Sequence, residues 1–270
     1  FNSHSFTWNW KSVEKEMFRG RNKMKKVLLG TLIAVFAVVL AACGNSGSST
    51  KESSGKGGVD PEGSLIIGVA GDPSVMNPNY ASDRVTLTLQ EALYAPLFWE
   101  LDGKPALAKS LDVSDDSLVY TVKLKDGLKW HDGKDLTAKD VVFTVESTLD
   151  EKQNSSNRGK FVFDGKPLKV EAVDKTTVKF TLPTASPAFE ETLNTFYPIP
   201  EHIFAGVDNI EKSDKNKKPV GSGPFQFVEY KSGEYVALKR FDDYFGGKPK
   251  LAKLTFRITK DQNAANLALQ

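Results

Sequence analysis

The sequence contains very little cysteine and histidine. Cys43 is the only cysteine among 270 residues, which excludes an internal disulfide and a cysteine-rich metal site. Of the three histidines, His131 and His202 lie in the part of the chain that has a globular composition. The sequence contains no HExxH, GxSxG, Walker A or dinucleotide-binding pattern. We therefore expect neither an enzyme nor a protein that needs a metal or a cofactor.

The sequence also lacks an excess of charge of one sign. Lysine and arginine total 36 against 34 aspartate and glutamate residues, and from Cys43 onward there are 29 basic and 32 acidic residues. A nearly neutral chain offers no basic patch for a phosphate backbone. We therefore expect no nucleic-acid partner.

Only one long hydrophobic run occurs, from Val27 to Leu40. It follows Met24-Lys25-Lys26 and is too short for a comfortable membrane span. It ends in Leu40-Ala41-Ala42-Cys43, which is similar to a bacterial lipobox. We therefore predict a lipoprotein signal peptide over residues 24–42 and lipid attachment at Cys43, with the protein on the outer face of the cell membrane or in the periplasm. The alternative is a transmembrane anchor with an incidental cysteine.

Two further segments are set apart from the fold. Residues 1–23 precede the signal and open on phenylalanine, so we expect an upstream segment that is not part of the native protein. Residues 43–63 are rich in glycine and serine and have no apolar periodicity, which is typical of a flexible linker. The globular part is expected to begin at Ser64.

The pattern from Tyr120 to Leu149 organises the globular part. Apolar and polar residues alternate up to Leu124, as in a half-buried strand, and the dipeptides Asp126-Gly127 and Asp132-Gly133 predict tight turns. Trp130 lies between the two turns and is predicted to be buried in a structural role. Thr137 stands three residues before Asp140, a capping-box pattern that predicts a helix start. Adjacent residues on an extended strand point to opposite faces, so we predict that His131 and Asp132 take part in a turn rather than in an acid–base pair.

The rest of the chain predicts mixed helices and strands. A strand is expected over residues 65–69, then a loop, then a helix from Ser82 or Asp83 that ends before Pro96. A β-rich stretch follows, with a polar loop at residues 151–160, a helix starting at Ser186-Pro187 and a short one near residues 201–204. His202 and the lysine-rich residues 212–218 are expected at the surface. Later segments predict a loop at 221–224, a hairpin of strands 225–230 and 235–240, a strand at 254–258 and a helix after Asp261.

Two blocks of sequence resemble the family 5 extracellular solute-binding proteins, the oligopeptide-, dipeptide- and nickel-binding receptors of bacterial ABC importers. The first is KLKDGLKWHDGKDLTAKDVVF, residues 123–143, and the second runs from Pro219 to Phe256. Family members usually have GTGP where this chain has Gly221-Ser222-Gly223-Pro224. Serine keeps the hydroxyl group, so the substitution weakens the resemblance little.

The resemblance implies an α/β receptor of the periplasmic-binding-protein type II class, with two lobes that close on a ligand. It implies that residues 64–98 and 184–270 belong to the first lobe, that residues 99–183 form a β-rich inserted subdomain, and that the second lobe is missing from this chain. The loop after Asn77-Pro78 then lines the ligand cleft, which makes contact candidates of Tyr80, Ala81, Ser82, Asp83 and Arg84. The alternative is that these residues form an ordinary surface loop and helix cap.

The function that the resemblance implies is capture of extracellular oligopeptides for a membrane permease. The protein is then a lipid-anchored monomer whose partners are a peptide ligand, the ABC permease and the membrane. One alternative is a surface lipoprotein with an adhesion or assembly role. A hydrolase would need a nucleophile–base pair, and the sequence offers none.

Overall fold

A computed structural model describes residues 63–99 and 103–259. The predictions for residues 1–23 and 24–42, for lipid attachment at Cys43, for nearly all of the linker and for the helix after Asp261 lie outside the described residues. In chain order, the strands are β1 (Ser64–Val69), β2 (Ala108–Val113), β3 (Val119–Leu124), β4 (Val162–Phe163), β5 (Lys166–Pro167), β6 (Lys169–Ala172), β7 (Thr177–Thr181), β8 (Phe225–Lys231), β9 (Tyr235–Arg240) and β10 (Lys253–Ile258).

Four α-helices and three short 3-10 helices join these strands. The α-helices are α1 (Arg84–Leu93), α2 (Ala138–Leu149), α3 (Phe189–Asn194) and α4 (Glu201–Phe204). The 3-10 helices cover Glu151–Gln153, Arg158–Phe161 and Asp214–Lys217. None of the helices in residues 63–99 and 103–259 is long and apolar enough to cross a membrane.

The first sheet has the strand order β1-β10-β9-β8. Strand β1 pairs in parallel with β10, so Ile67 lies opposite Phe256 although the two are far apart in sequence. The β8–β9 hairpin confirms the predicted strand pair, and its turn contains Gly233 with a φ of 74°. Asp72 secures this turn by accepting hydrogen bonds from the Gly233 N–H and the Tyr230 hydroxyl, each at 2.7 Å. The loop after β1 is therefore fixed to the hairpin.

The second sheet has the order β2-β3-β7-β6 and is antiparallel throughout. All its strands come from the stretch predicted to be β-rich. Helix α2 packs on it, and the alternation of Tyr120, Val122 and Leu124 confirms the predicted strand, since all three side chains are buried.

The described residues form three hydrophobic clusters. The first sheet packs on α1, and the second sheet packs on α2 together with residues from 95–98 and 189–196. A third cluster contains Tyr80, Ile199, Phe204 and Ile210. The core of the second sheet thus includes side chains from segments on either side of residues 99–183 in sequence, namely residues 95–98 and 189–196. The division into a first lobe and an inserted subdomain remains a prediction.

The capping box that begins α2 is confirmed. The Thr137 N–H donates to Asp140 Oδ2 at 2.8 Å, and the Thr137 hydroxyl accepts from the helix. Asp140 is buried, and its Oδ1 also accepts from the N–H of Glu201 at 3.0 Å. One carboxylate therefore starts α2 and positions α4.

Three local predictions need correction. Helix α3 begins at Phe189 rather than at Ser186-Pro187, because residues 187 and 188 form a turn whose Ser186 carbonyl accepts from the Phe189 N–H. Residues 212–218 are not simply a surface loop: they contain a 3-10 helix in which Asn216 is buried and donates to the Ile210 carbonyl at 2.6 Å. The loop at residues 151–160 contains a 3-10 helix and the start of a second one.

Candidate functional site

The carboxyl end of α1 is locked in place by the two sequence blocks together. The Gly223 N–H donates to the Leu93 carbonyl at 2.9 Å, and the Ser222 hydroxyl accepts from the Ala95 N–H at 3.2 Å. A Cβ atom on Gly221 would come within 1.8 Å of the Leu93 oxygen, so only glycine permits this approach. The hydroxyl at position 222 therefore has a structural role, and the predicted glycine-rich loop caps α1.

His131 connects the other block to the same loop. Its Nδ1 accepts from the Gly221 N–H at 3.1 Å, its Nε2 lies 3.0 Å from the Gly223 carbonyl, and its backbone N–H donates to the Gly221 carbonyl at 2.8 Å. This pattern fixes the neutral tautomer with its proton on Nε2. Burial lowers the pKa of His131 to about 4, against the smaller opposing effects of the Gly223 carbonyl and of Asp132.

His131 and Asp132 do not form an acid–base pair. Asp132 Oδ2 instead lies 2.7 Å from Nε2 of His202, and Gly133 closes the predicted turn by donating to the Trp130 carbonyl at 2.9 Å. The prediction that His202 is simply a surface residue is thus incomplete, because its contact with Asp132 also connects α4 to the turn that Gly133 closes. Within the described residues no group of three or more histidine, cysteine or acidic side chains is arranged to hold a metal.

The loop before α1 is held by the helix cap. Asp83 is the N-cap, and its Oδ1 accepts from the Thr86 N–H at 2.9 Å. Its Oδ2 accepts from the Ser74 N–H at 3.2 Å and from the hydroxyls of Ser74 and Thr86. Partial burial raises the pKa of Asp83, but these hydrogen bonds outweigh it and lower that pKa to about 2. The loop and the first turn of α1 therefore form one fixed unit.

An open cleft of about 390 Å³ lies along α1, and it is our candidate site. Its walls come from the loop and outer face of α1, from residues 157–161 and from residues 192–197. The lining residues are Pro78, Asn79, Ala81, Arg84, Leu87, Gln90, Glu91, Asn157, Lys160, Phe161, Thr192, Thr195, Phe196 and Tyr197. The lining combines aromatic rings with carboxamides, hydroxyls and charged side chains, so it offers both apolar contact and hydrogen-bonding groups.

The structure separates the five predicted contact residues. Ala81 and Arg84 line the cleft, whereas Tyr80 packs into the third cluster with 9 % of its surface exposed. Burial raises the pKa of the Tyr80 hydroxyl to about 12. Asp83 is occupied as the helix cap, and Ser82 is exposed outside the cleft lining. The ligand contacts themselves remain predictions.

Most of the opposite wall was missed from sequence. Phe161, Thr192 and Phe196 reach the cleft from segments more than 60 residues beyond α1, and no spacing pattern links them to it. Phe196 also packs edge-to-face on Phe161, with ring centroids 5.9 Å apart. Only the tertiary fold brings this aromatic pair to the helix.

The cleft carries charges of both signs. Arg84 and Glu91 are on the same side of α1, seven residues or about 10 Å apart along the helix axis, and Lys160 stands on the opposite wall. All three are exposed at the cleft. Such walls suit a zwitterionic ligand that also has polar and apolar parts.

Comparison with known proteins identifies the family. The model for bacterial extracellular solute-binding proteins, family 5 Middle, matches residues 103–270, more than half of the chain. The chain belongs to the family 5 extracellular solute-binding proteins. Its fold is the α/β, type II periplasmic-binding-protein fold of that family.

Individual relatives agree with this membership. The chain is 38 % identical over 261 residues to the oligopeptide-binding protein AppA of Bacillus subtilis, covering 93 % of this chain and 47 % of AppA. The crystal structure of the ABC transporter substrate binding protein CtaP from Listeria monocytogenes is 80 % identical, with a TM-score of 0.76, 77 % of this chain covered and 42 % of that one. AppA in complex with a nonapeptide has 36 % identity, a TM-score of 0.71 and coverages of 77 % and 42 %. The chain thus spans about half the length of these relatives.

Proposed function

We propose that this protein is the substrate-binding component of an ABC importer and that it captures oligopeptides outside the membrane for delivery to a permease. Membership of the family supports the transport role, and the nonapeptide complex of AppA supports the ligand class. In this proposal the protein is not an enzyme, and its part in transport is to bind a peptide and release it to the permease.

The cleft along α1 carries this proposal. Its aromatic pair Phe161 and Phe196 offers apolar contact, while Arg84, Glu91 and Lys160 offer charges for peptide termini or side chains. Extended peptides are commonly bound through their main chain, which gives affinity with little side-chain selection. We assign Ala81 and Arg84 to ligand contact and Tyr80, Ser82 and Asp83 to shaping and supporting the loop.

The direct test is to fill the cleft. Ala81→Trp places an indole in the lining, whereas Ala172→Trp places it at an exposed position of β6 outside the cleft. We expect a random nonapeptide mixture to bind the wild-type product of the full gene and its Ala172→Trp variant alike by calorimetry, and to bind the Ala81→Trp variant at least tenfold more weakly. Equal binding by all three proteins contradicts the site. An absence of heat with peptides, together with adhesion to a protein partner, favours the alternative of a surface lipoprotein.

We also propose that the protein is a monomer held at the membrane through lipid on Cys43. The support is the sequence LAAC after a short hydrophobic run, and two acyl chains at about 0.8 kcal/mol per buried CH₂ give stable anchoring. Cys43→Ala in the full gene is expected to leave the signal uncleaved and the protein without lipid. Unchanged processing and membrane retention of Cys43→Ala contradicts the proposed anchor.

A further inference from the structure

Strand β6 forms one edge of the second sheet. The strand order β2-β3-β7-β6 gives β6 a neighbouring strand of this sheet on one side. Strand β2 forms the opposite edge, but its pairing is interrupted by an irregularity between Ala108 and Ser110. The pairing of β6 with β7 is regular from Lys169 to Ala172. A regular edge strand presents a row of backbone groups to which another strand can pair.

The hydrogen bonds of β6 show in which direction its backbone groups point. The Val173 N–H donates to the Thr177 carbonyl at 2.9 Å and therefore points toward β7. Because the direction alternates along an antiparallel strand, the backbone groups of Val170 and Ala172 point away from β7. Within the described residues neither backbone has a hydrogen-bond partner on that side. Two N–H groups and two carbonyls of β6 are thus available to an added strand.

The chain itself already uses the beginning of this edge. The backbone of Leu168 also points away from β7, and its N–H donates to the Phe161 carbonyl at 2.9 Å. This bond continues the ladder between β4 and β5. Strand β4 and the residue before it therefore cover the edge up to Leu168, and the open positions of β6 continue the same line.

A groove of about 550 Å³ lies beside the open positions, between α2 and β6. Leu149, Leu168 and Val170 line it with apolar surface and belong to the core of the second sheet or pack against it. Alternate side chains of an extended segment along β6 would enter this groove, because side chains alternate in direction along a strand. The groove and the open positions of β6 therefore form one surface, which we call the β6 edge surface.

Two charged side chains in the groove have no ion-pair partner among the described residues. They are Lys169 on β6 and Glu146 on α2, and both are exposed. Glu171, in contrast, already pairs with Lys179 at 2.8 Å. An acidic residue near Lys169 and a basic residue near Glu146 would complement both free charges. Charge complementarity of this kind fixes the register of an added strand, which its backbone hydrogen bonds alone do not specify.

We infer that the permease docks on the β6 edge surface by adding an extended segment to β6, with an acidic residue facing Lys169 and a basic residue facing Glu146. The inference rests on the proposed function and names the surface through which the receptor meets the membrane complex. Addition of a strand to an exposed sheet edge is a common mode of recognition between proteins. The groove and the cleft along α1 have no lining residue in common, so docking and ligand capture use different side chains.

The test uses the full gene product and its permease reconstituted in liposomes. Ala172→Pro removes one outward N–H at an edge position, where proline is tolerated. We expect it to raise at least tenfold the receptor concentration that gives half-maximal peptide uptake, and to leave peptide binding by calorimetry unchanged. Ala172→Ser keeps the N–H and is the matched control, with uptake like that of the wild type. Lys169→Glu is expected to weaken docking and Lys169→Arg to retain it.

Amide hydrogen exchange gives a second readout, and we expect exchange at residues 170 and 172 to slow at least tenfold when the full gene product binds the permease. Unchanged exchange at both positions, or equal uptake with Ala172→Pro and Ala172→Ser, overturns the inference and leaves the proposed function intact. If Ala172→Pro fails to fold, equal uptake with Lys169→Glu and Lys169→Arg overturns it. Protection that rises with receptor concentration in the absence of permease assigns the edge to a second copy and also overturns it. Absence of peptide uptake with the wild type overturns the proposed function itself, and the inference with it.

Discussion

At the residue scale, Trp130 is the clearest case in which pattern and structure agree. Its side chain is fully buried, as the two flanking aspartate–glycine turns predict, yet its indole N–H has no partner. The ring therefore contributes through apolar burial rather than through a hydrogen bond. Its neighbour His131 has the opposite character, since both ring nitrogens are engaged.

Substitution of Trp130 should separate these two contributions. Trp130→Ala leaves a large cavity and is expected to lower the free energy of unfolding by about 3–5 kcal/mol. Trp130→Phe keeps most of the apolar body and removes the unpartnered N–H together with part of the second ring, so we expect a considerably smaller loss. Urea denaturation of the two variants measures the difference. Equal losses would show that the indole nitrogen has a partner after all, and an unchanged Trp130→Ala would show that the ring is exposed.

His131 should make the fold sensitive to acid. Its pKa is about 4 in the folded protein and 6.5 in the absence of burial. Between these values the unfolded chain binds a proton that the folded chain does not. Stability is therefore retained above pH 6.5 and falls as the pH is lowered to 4, by about 3 kcal/mol for this group.

The measurement is the melting temperature against pH. His131→Gln is expected to be less stable at pH 7 and to show a shallower decline between pH 6.5 and 4. Thr88→Ala removes no ionisable group and serves as the control, with a decline like that of the wild type. Parallel curves for the wild type and His131→Gln would contradict the assignment of the neutral tautomer.

At the scale of elements, helix α1 depends on contacts at both ends. Asp83 caps its first turn, and the Gly223 N–H donates to the carbonyl of Leu93, the last residue of the helix. The cap was predictable from local sequence, because the residue before a run of apolar periodicity is an aspartate. The loop from Gly221 to Gly223 was predictable only as a loop, since the end of α1 that it contacts is more than 120 residues away in sequence.

Gly221→Ala tests how closely the loop and α1 approach. Its Cβ would lie 1.8 Å from the Leu93 oxygen and 2.8 Å from the Leu93 carbonyl carbon, so the backbone must separate. We expect a loss of about 3 kcal/mol in the free energy of unfolding. Gly71→Ala, where no atom lies within 4 Å of the added methyl group, is the matched control. Comparable stability of the two variants would rule out the tight junction.

Local patterns predicted most elements and little of their assembly. Alternation, turn dipeptides and caps located β1, α1, β3, α2 and the β8–β9 hairpin, because these signals act over a few residues. The parallel pairing of β1 with β10 has no local signal and follows only from long-range packing. The same limit applies to the cleft: Ala81 and Arg84 follow the loop that the family resemblance assigns to the ligand cleft, whereas no sequence signal links Phe161 and Phe196 to it.

At the scale of the whole molecule, the described residues include two four-stranded sheets, each packed on its own helix. Helix α1 and the loop before it provide one wall of the cleft, and residues 157–161 and 192–197 provide the other. The central claim is that a peptide binds between these walls. Amide hydrogen exchange of the full gene product with and without a saturating nonapeptide mixture tests it directly. Slower exchange is expected at residues 79–91 and 192–197 and unchanged exchange at residues 168–171, whereas saturable binding that protects another surface and leaves both walls unchanged would contradict the claim.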